Sequence, residues 1–167
     1  MKPQIDEQDI IKAAGEGMDA FVMLFADKTL EMIGGSLTAE NMGELSGAQT
    51  TLLAYIMYRT EVMDGGHVQL IYNGLGGFIF HNPFARAMRE WGAKEFSKLL
   101  YEGRKLFDTY GEAIQEPCSD EAFMARFEQY EEFDALDDGF VEMEEEVTAI
   151  VASYIDEHLD EFATIVK

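Results

Sequence analysis

Apolar residues recur at helical spacing along almost the whole chain. Ile10, Ile11, Ala14, Met18, Phe21, Val22 and Phe25 make one stripe, and Leu45, Ala48, Leu52, Tyr55 and Ile56 a second. Phe96, Leu99, Leu100, Gly103 and Phe107 make a third. The steps of three and four are clearest from Val147 through Ile150, Val151, Tyr154, Ile155 and Leu159 to Phe162. Each stripe predicts an amphipathic helix with one buried face. The residues between stripes are ones that stop or start helices. Gly34-Gly35 predicts the end of the first helix and Thr38 an N-cap for the second. Asn82-Pro83 reads as an N-cap followed by proline at the first helical position. Gly92 and Gly111 predict C-terminal stops, and Pro117 to Ser119 a fresh start before Asp120. Only Gly77-Phe78-Ile79-Phe80 looks like a strand, and it is too short to build a sheet. The expected fold is all-α, a single-domain bundle of about six or seven helices over residues 1–167, with no internal repeat or low-complexity linker.

Composition supports a packed core and adds a charge problem. A hydrophobic fraction of 47% in 167 residues is ordinary for one globular domain, so the chain escapes the low hydrophobicity of disordered segments. The net charge is −21, and it is unevenly placed. Residues 1–65 carry −7, residues 66–115 carry +1, and residues 116–167 carry −15, with 17 acids against 2 bases. A field of this sign repels nucleic acid and acidic membranes and attracts basic partners, so direct nucleic-acid binding is not expected. Cys118 is the only cysteine, which leaves no intrachain disulfide and no Cys-rich metal cluster. The start Met1-Lys2-Pro3-Gln4 runs into acidic residues without an apolar stretch, so a signal peptide or membrane span is not expected and a cytoplasmic protein is.

In the last segment about one residue in three is a carboxylate. At about 1.5 Å of rise per residue, one such helix carries a negative charge roughly every 4.5 Å. Two side by side approach the density of duplex DNA, about one charge per 1.7 Å of axis. The stripe from Val147 to Phe162 leaves Glu144, Glu145, Asp156, Glu157, Asp160 and Glu161 largely outward. The plain alternative is a solvated face.

Other chemistry is weaker. The run Asp134 to Glu145 partly fits an EF-hand loop, with Asp134, Asp138, Gly139, Val141, Glu142 and Glu145 at loop positions one, five, six, eight, nine and twelve. Leu136 stands where an oxygen ligand belongs, so Leu136 and Phe140 read better as core residues in a turn between two acidic helices. Gly74, Gly76 and Gly77 lack both the dinucleotide spacing and a P-loop lysine. His67, His81 and His158 lack the paired Glu-x-x-His of a di-iron bundle and read as hydrogen-bonding or surface histidines. No Ser/His/Asp or Cys/His pattern stands out, so no catalytic residue, metal ligand set or cofactor is expected, and an enzyme is the weaker reading. The segment Asp64 to Gly74 is the most unusual. Gly65 and Gly66 allow a tight helix-to-helix corner, and Gln69 and Asn73, four residues apart, are placed to satisfy backbone groups there.

That corner also carries a resemblance. Gly65-Gly66-x-x-Gln69-x-x-Tyr72-Asn73, followed by Trp91-Gly92-Ala93 and Phe107, resembles a bacterial family of helical domains. Leu136-Asp137-Asp138-x-Phe140, continuing into Tyr154-Ile155, His158 and Phe162, is similar to the same family, so the likeness runs from about residue 48 to residue 162. Two positions depart from its pattern: Asp64 stands where asparagine is usual and His67 where an aromatic is usual. The best-understood type in the family is a neisserial DNA mimic, acidic and of similar size, which binds a helix-turn-helix transcription factor and keeps it off its operator.

The resemblance implies a non-enzymatic DNA mimic that binds a basic DNA-binding protein and blocks operator binding. The shared motif Gly65, Gly66, Gln69, Tyr72 and Asn73 is then read as structural. The contacts fall to a pool of carboxylates: Glu131, Glu132, Asp134, Asp137, Asp138, Glu142, Glu144, Glu145, Glu146, Asp156, Glu157, Asp160 and Glu161. Asp6, Glu7, Asp9, Glu16 and Asp19 are a secondary group. The alternatives are an acidic immunity or adaptor-type protein without mimicry, and a calcium-binding helical protein; a homodimer is left open.

Overall fold

A computed structural model describes all of residues 1–167. The fold is all-α with nine helices, two 3-10 turns and one pair of three-residue strands. The first helix, α1 (Glu7–Glu16), starts where the Asp6 carboxylate accepts from the Gln8 N–H at 3.0 Å. Gly17, at φ 132°, then breaks the first apolar stripe and α2 (Met18–Met32) follows, so that stripe belongs to two helices rather than one. Gly34 and Gly35, both at positive φ, end α2, and the Gly35 N–H returns to the Leu30 carbonyl at 2.7 Å. Thr38 does not cap the long third helix, α3 (Gly47–Tyr72). Its hydroxyl and amide exchange hydrogen bonds with Asn41 before the 3-10 turn Met42–Glu44. Ser46 caps α3 instead, in a reciprocal box with Gln49.

Two glycine readings change in the middle of the chain. The strand-like Gly77 to Phe80 lies in a short helix, α4 (Gly76–Phe80), which buries Ile79 and Phe80. Pro83 stands just before α5 (Phe84–Trp91) as its N-cap residue, one place earlier than predicted. Gly92 ends α5 in the left-handed conformation, as predicted. Gly111 does not end a helix. It lies inside α6 (Lys94–Ile114), where a Cβ would sit 2.6 Å from the Phe107 ring, so packing requires the glycine. Ser119 caps α7 (Asp120–Gln129) through the Ala122 N–H, as the fresh start before Asp120 predicted. A 3-10 turn at Glu131–Phe133 leads into α8 (Asp134–Glu157), and α9 (Leu159–Phe162) follows. The strands β1 (Gln4–Asp6) and β2 (Thr164–Val166) pair in parallel, Ile5 opposite Ile165. Neither segment is long enough to leave an alternating signature in the sequence.

The chain packs as two compact units, residues 1–53 with 145–167, and residues 54–144. The first unit contains the strand pair, the Phe21–Phe25 and Phe25–Phe162 edge contacts, and the buried Gln49, whose Nε2 donates to the Met1 carbonyl at 2.9 Å. The second is organised around an aromatic cluster of Tyr55, Tyr58, Phe84, Phe96 and Phe140, all fully buried. No helix is long and apolar enough to cross a membrane.

Candidate carboxylate interface

The carrier of most predicted contacts is α8, and its burial pattern explains its faces. Leu136, Phe140, Val147, Val151 and Ile155 are buried. Leu136 and Phe140 are core residues as predicted, but they lie in one uninterrupted helix and not in a turn. The same continuity rules out the EF-hand loop, because Asp134 to Glu145 cannot wrap a cation while held helical.

On the outer face Asp134, Asp138 and Glu142 follow one another at four-residue steps. That step advances a helix by about 6 Å and turns it only slightly, so the three carboxylates form a row. All three are exposed and form no ion pair or hydrogen bond within the chain. Glu131 and Glu132, in the turn before α8, are exposed as well. Mutual repulsion at this spacing costs a few tenths of a kcal/mol per pair and is not relieved internally. In the first unit Glu145, Glu146, Asp156, Glu157 and Asp160 are exposed. Asp156, Glu157 and Asp160 line a shallow open groove with Lys2, Leu159 and Thr164.

Three carboxylates of the pool are engaged within the fold. Glu144 pairs with Arg59 at 3.5 Å, both side chains less than one-fifth exposed. Glu161 accepts from the Tyr154 hydroxyl at 3.2 Å. Asp137 turns to the Gly65–Asn73 corner: its Oδ1 accepts from the His67 backbone N–H at 2.8 Å and from His67 Nδ1 at 2.5 Å.

The corner is a real break. Gly66, at φ 75° and ψ −175°, interrupts α3 in a conformation that only glycine adopts readily. A Cβ there would also lie 2.5 Å from Asp137 Oδ2. His67 is completely buried, and its Nε2 meets the Tyr58 hydroxyl at 2.7 Å. Burial pushes the Tyr58 phenol well above its ordinary value of 10.0, and the Asp137 charge and Tyr55 push the same way, so the phenol keeps its proton. Gln69 and Asn73 do not satisfy backbone groups through their side chains as expected. Gln69 Nε2 donates to Glu61 at 2.8 Å and Asp64 at 3.0 Å, and Asn73 Nδ2 donates to Glu61 at 3.0 Å. The Tyr72 ring packs 4.5 Å from Phe123, with the Arg126 guanidinium 5.7 Å from its centroid. His81 and His158 are hydrogen-bonded to Asp108 and to the Tyr154 carbonyl, at 2.6 and 2.8 Å. Tyr58 and Glu61 were not singled out in the sequence, because the break at Gly66 puts them out of helical phase with the residues they serve.

The sequence pattern described as DMP19-like protein matches residues 43–158. The DNA mimic protein DMP19 of Neisseria meningitidis serogroup B (strain ATCC BAA-335 / MC58) is 32% identical over 127 residues, covering 75% of this chain and 77% of that protein.

Proposed function

This chain belongs to the DMP19-like protein family, and on that premise we propose that it binds the DNA-binding surface of a transcriptional regulator and competes there with operator DNA. The observation that carries the reading is the row Asp134, Asp138 and Glu142, exposed and unpaired on one helix face. Carboxylates without an internal partner keep their capacity for charge-assisted hydrogen bonds to Lys and Arg. Glu131 and Glu132 extend the acidic surface in the second unit, and Glu145, Glu146, Asp156, Glu157 and Asp160 offer a further set in the first. Glu144, Glu161 and Asp137 are less available, for the reasons of geometry given above. The partner is a basic protein of the helix-turn-helix kind, and no catalytic step is involved.

The test is competition. Regulators retained by the immobilised protein are purified and titrated against labelled operator DNA with and without this chain. Mutual exclusion is expected, with an apparent affinity that falls steeply as salt rises beyond physiological strength, where the screening length drops below about 8 Å. Simultaneous binding of DNA and this chain to the regulator would rule the reading out and leave an acidic adaptor.

A further inference from the structure

We propose that His67 is a positioning residue: acting through Asp137, it fixes the first turns of α8 so that Asp134, Asp138 and Glu142 face outward together while Asp137 is held back from any partner. The apolar contacts of Leu136 and Phe140 define which side of α8 is buried, but such contacts are not directional. Hydrogen bonds are, and Asp137 accepts two of them in the first turn of α8, two turns before the Arg59–Glu144 pair.

The imidazole is itself immobile. Its ring lies nearly parallel to Phe80 and Phe133, at centroid distances of 6.5 and 6.2 Å, and Tyr58 closes the remaining edge. The protonated phenol donates to Nε2, which leaves the proton on Nδ1 for Asp137. Gly66 completes the device, since any side chain there would occupy the space of the Asp137 carboxylate. A carboxylate one residue from Asp138 is thereby withdrawn from the outer row, and its charge serves orientation instead. The inference rests on reading that row as the docking face, but its geometry can be tested without a regulator.

The probe is hexaamminecobalt(III), a trivalent cation whose N–H groups bind closely spaced anions. Side-chain carboxyl shifts are followed by NMR on the full chain. In the unaltered protein Asp134, Asp138 and Glu142 are expected to titrate together, with Asp137 silent, and His67 to show a protonated Nδ1 and a bare Nε2. Asp137→Asn retains an oxygen for both N–H donors and leaves the row's affinity within about twofold. Asp137→Ala removes the acceptor, keeps the imidazole, and weakens cobalt binding at the row about fivefold. His67→Phe keeps the backbone N–H bond to Asp137 and loses only the Nδ1 bond, so it weakens cobalt binding by less, about twofold. Tyr58→Phe keeps the Nδ1–Asp137 bond, so it lowers stability without loosening the row, which separates positioning from general destabilisation. Equal cobalt affinity in Asp137→Ala and the unaltered protein overturns the proposal, as does an Asp137→Asn effect as large as that of Asp138→Asn. A regulator that proves indifferent to the row would defeat the mimic reading and leave these cobalt outcomes intact.

Discussion

The outer row of α8 and the Gly65–Asn73 corner are both rich in polar groups, yet they use them oppositely. At the corner nearly every polar side chain has an internal partner: Tyr58 with His67, His67 with Asp137, Gln69 and Asn73 with Glu61. On the row Asp134, Asp138 and Glu142 have none. Internal satisfaction is what a fold requires of buried polar groups, because each orphan costs about 1–3 kcal/mol. Unsatisfied charge on a surface costs little in water but repels its neighbours, and of the row only Asp134, in the first turn of α8, gains from the helix dipole. The corner is therefore where the fold is specified, and the row is where an interaction is available. A motif of unusual residues and a run of ordinary carboxylates would suggest the reverse assignment.

The sharpest way to break this contrast is to neutralise the row. Asp134→Asn, Asp138→Asn and Glu142→Gln together should weaken regulator binding by about 3 kcal/mol, close to a hundredfold, if each carboxylate meets a cation. Thermal stability should change by less than about 1 kcal/mol, because relieved repulsion offsets the lost interaction of Asp134 with the helix dipole. Calorimetric titration beside a melting curve reads both quantities. A loss of stability with unchanged binding would invert the comparison.

The corner should respond the other way. Gly66→Ala forces a side chain into a strained backbone conformation and against Asp137, and should cost about 2–3 kcal/mol in urea denaturation. Gly65→Ala brings no backbone strain, but its Cβ would lie 2.9 Å from Gln69 Cβ and displace the amide from Glu61 and Asp64, so it should also destabilise the corner, by less than Gly66→Ala.

This asymmetry also explains what the sequence revealed. Helical stripes are local, so the all-α class and the starts at Ser119 and stop at Gly92 were readable from neighbouring residues. The expected six or seven helices fall short of nine because a single stripe does not show a break such as Gly17, where the backbone leaves the helical region at φ 132° and ψ 171°. Gly111 illustrates the converse: its role depends on Phe107 packing over it, and a glycine needed for space looks the same in sequence as one needed for a turn. The row was not legible: Asp134, Asp138 and Glu142 stood undivided in the pool of carboxylates, because only a continuous α8 puts the three on one face. Nor was the Asp137–His67 bond, since the two stand 70 residues apart and only the fold brings them together. Asp137 therefore entered the contact pool on the strength of its charge alone.

The smallest effect concerns Tyr58, and its pH dependence identifies it. Tyr58→Phe leaves His67 Nε2 without its donor and should cost about 1 kcal/mol near neutral pH. The folded-state phenol titrates above its unfolded value of 10.0, so raising the pH ionises the unfolded chain first. The stabilising contribution of this group is thus complete below pH 10.0 and is lost above it, by up to about 1.4 kcal/mol per pH unit. Phenylalanine has no such proton. The stability difference between the two proteins should accordingly hold constant from neutral to mildly alkaline pH and then shrink as the pH passes that value. Urea titrations at a series of alkaline pH values would show it. A difference that stays constant or widens would mean that the Tyr58 proton is not protected by the fold, and that the corner tolerates an ionised group it is built to exclude.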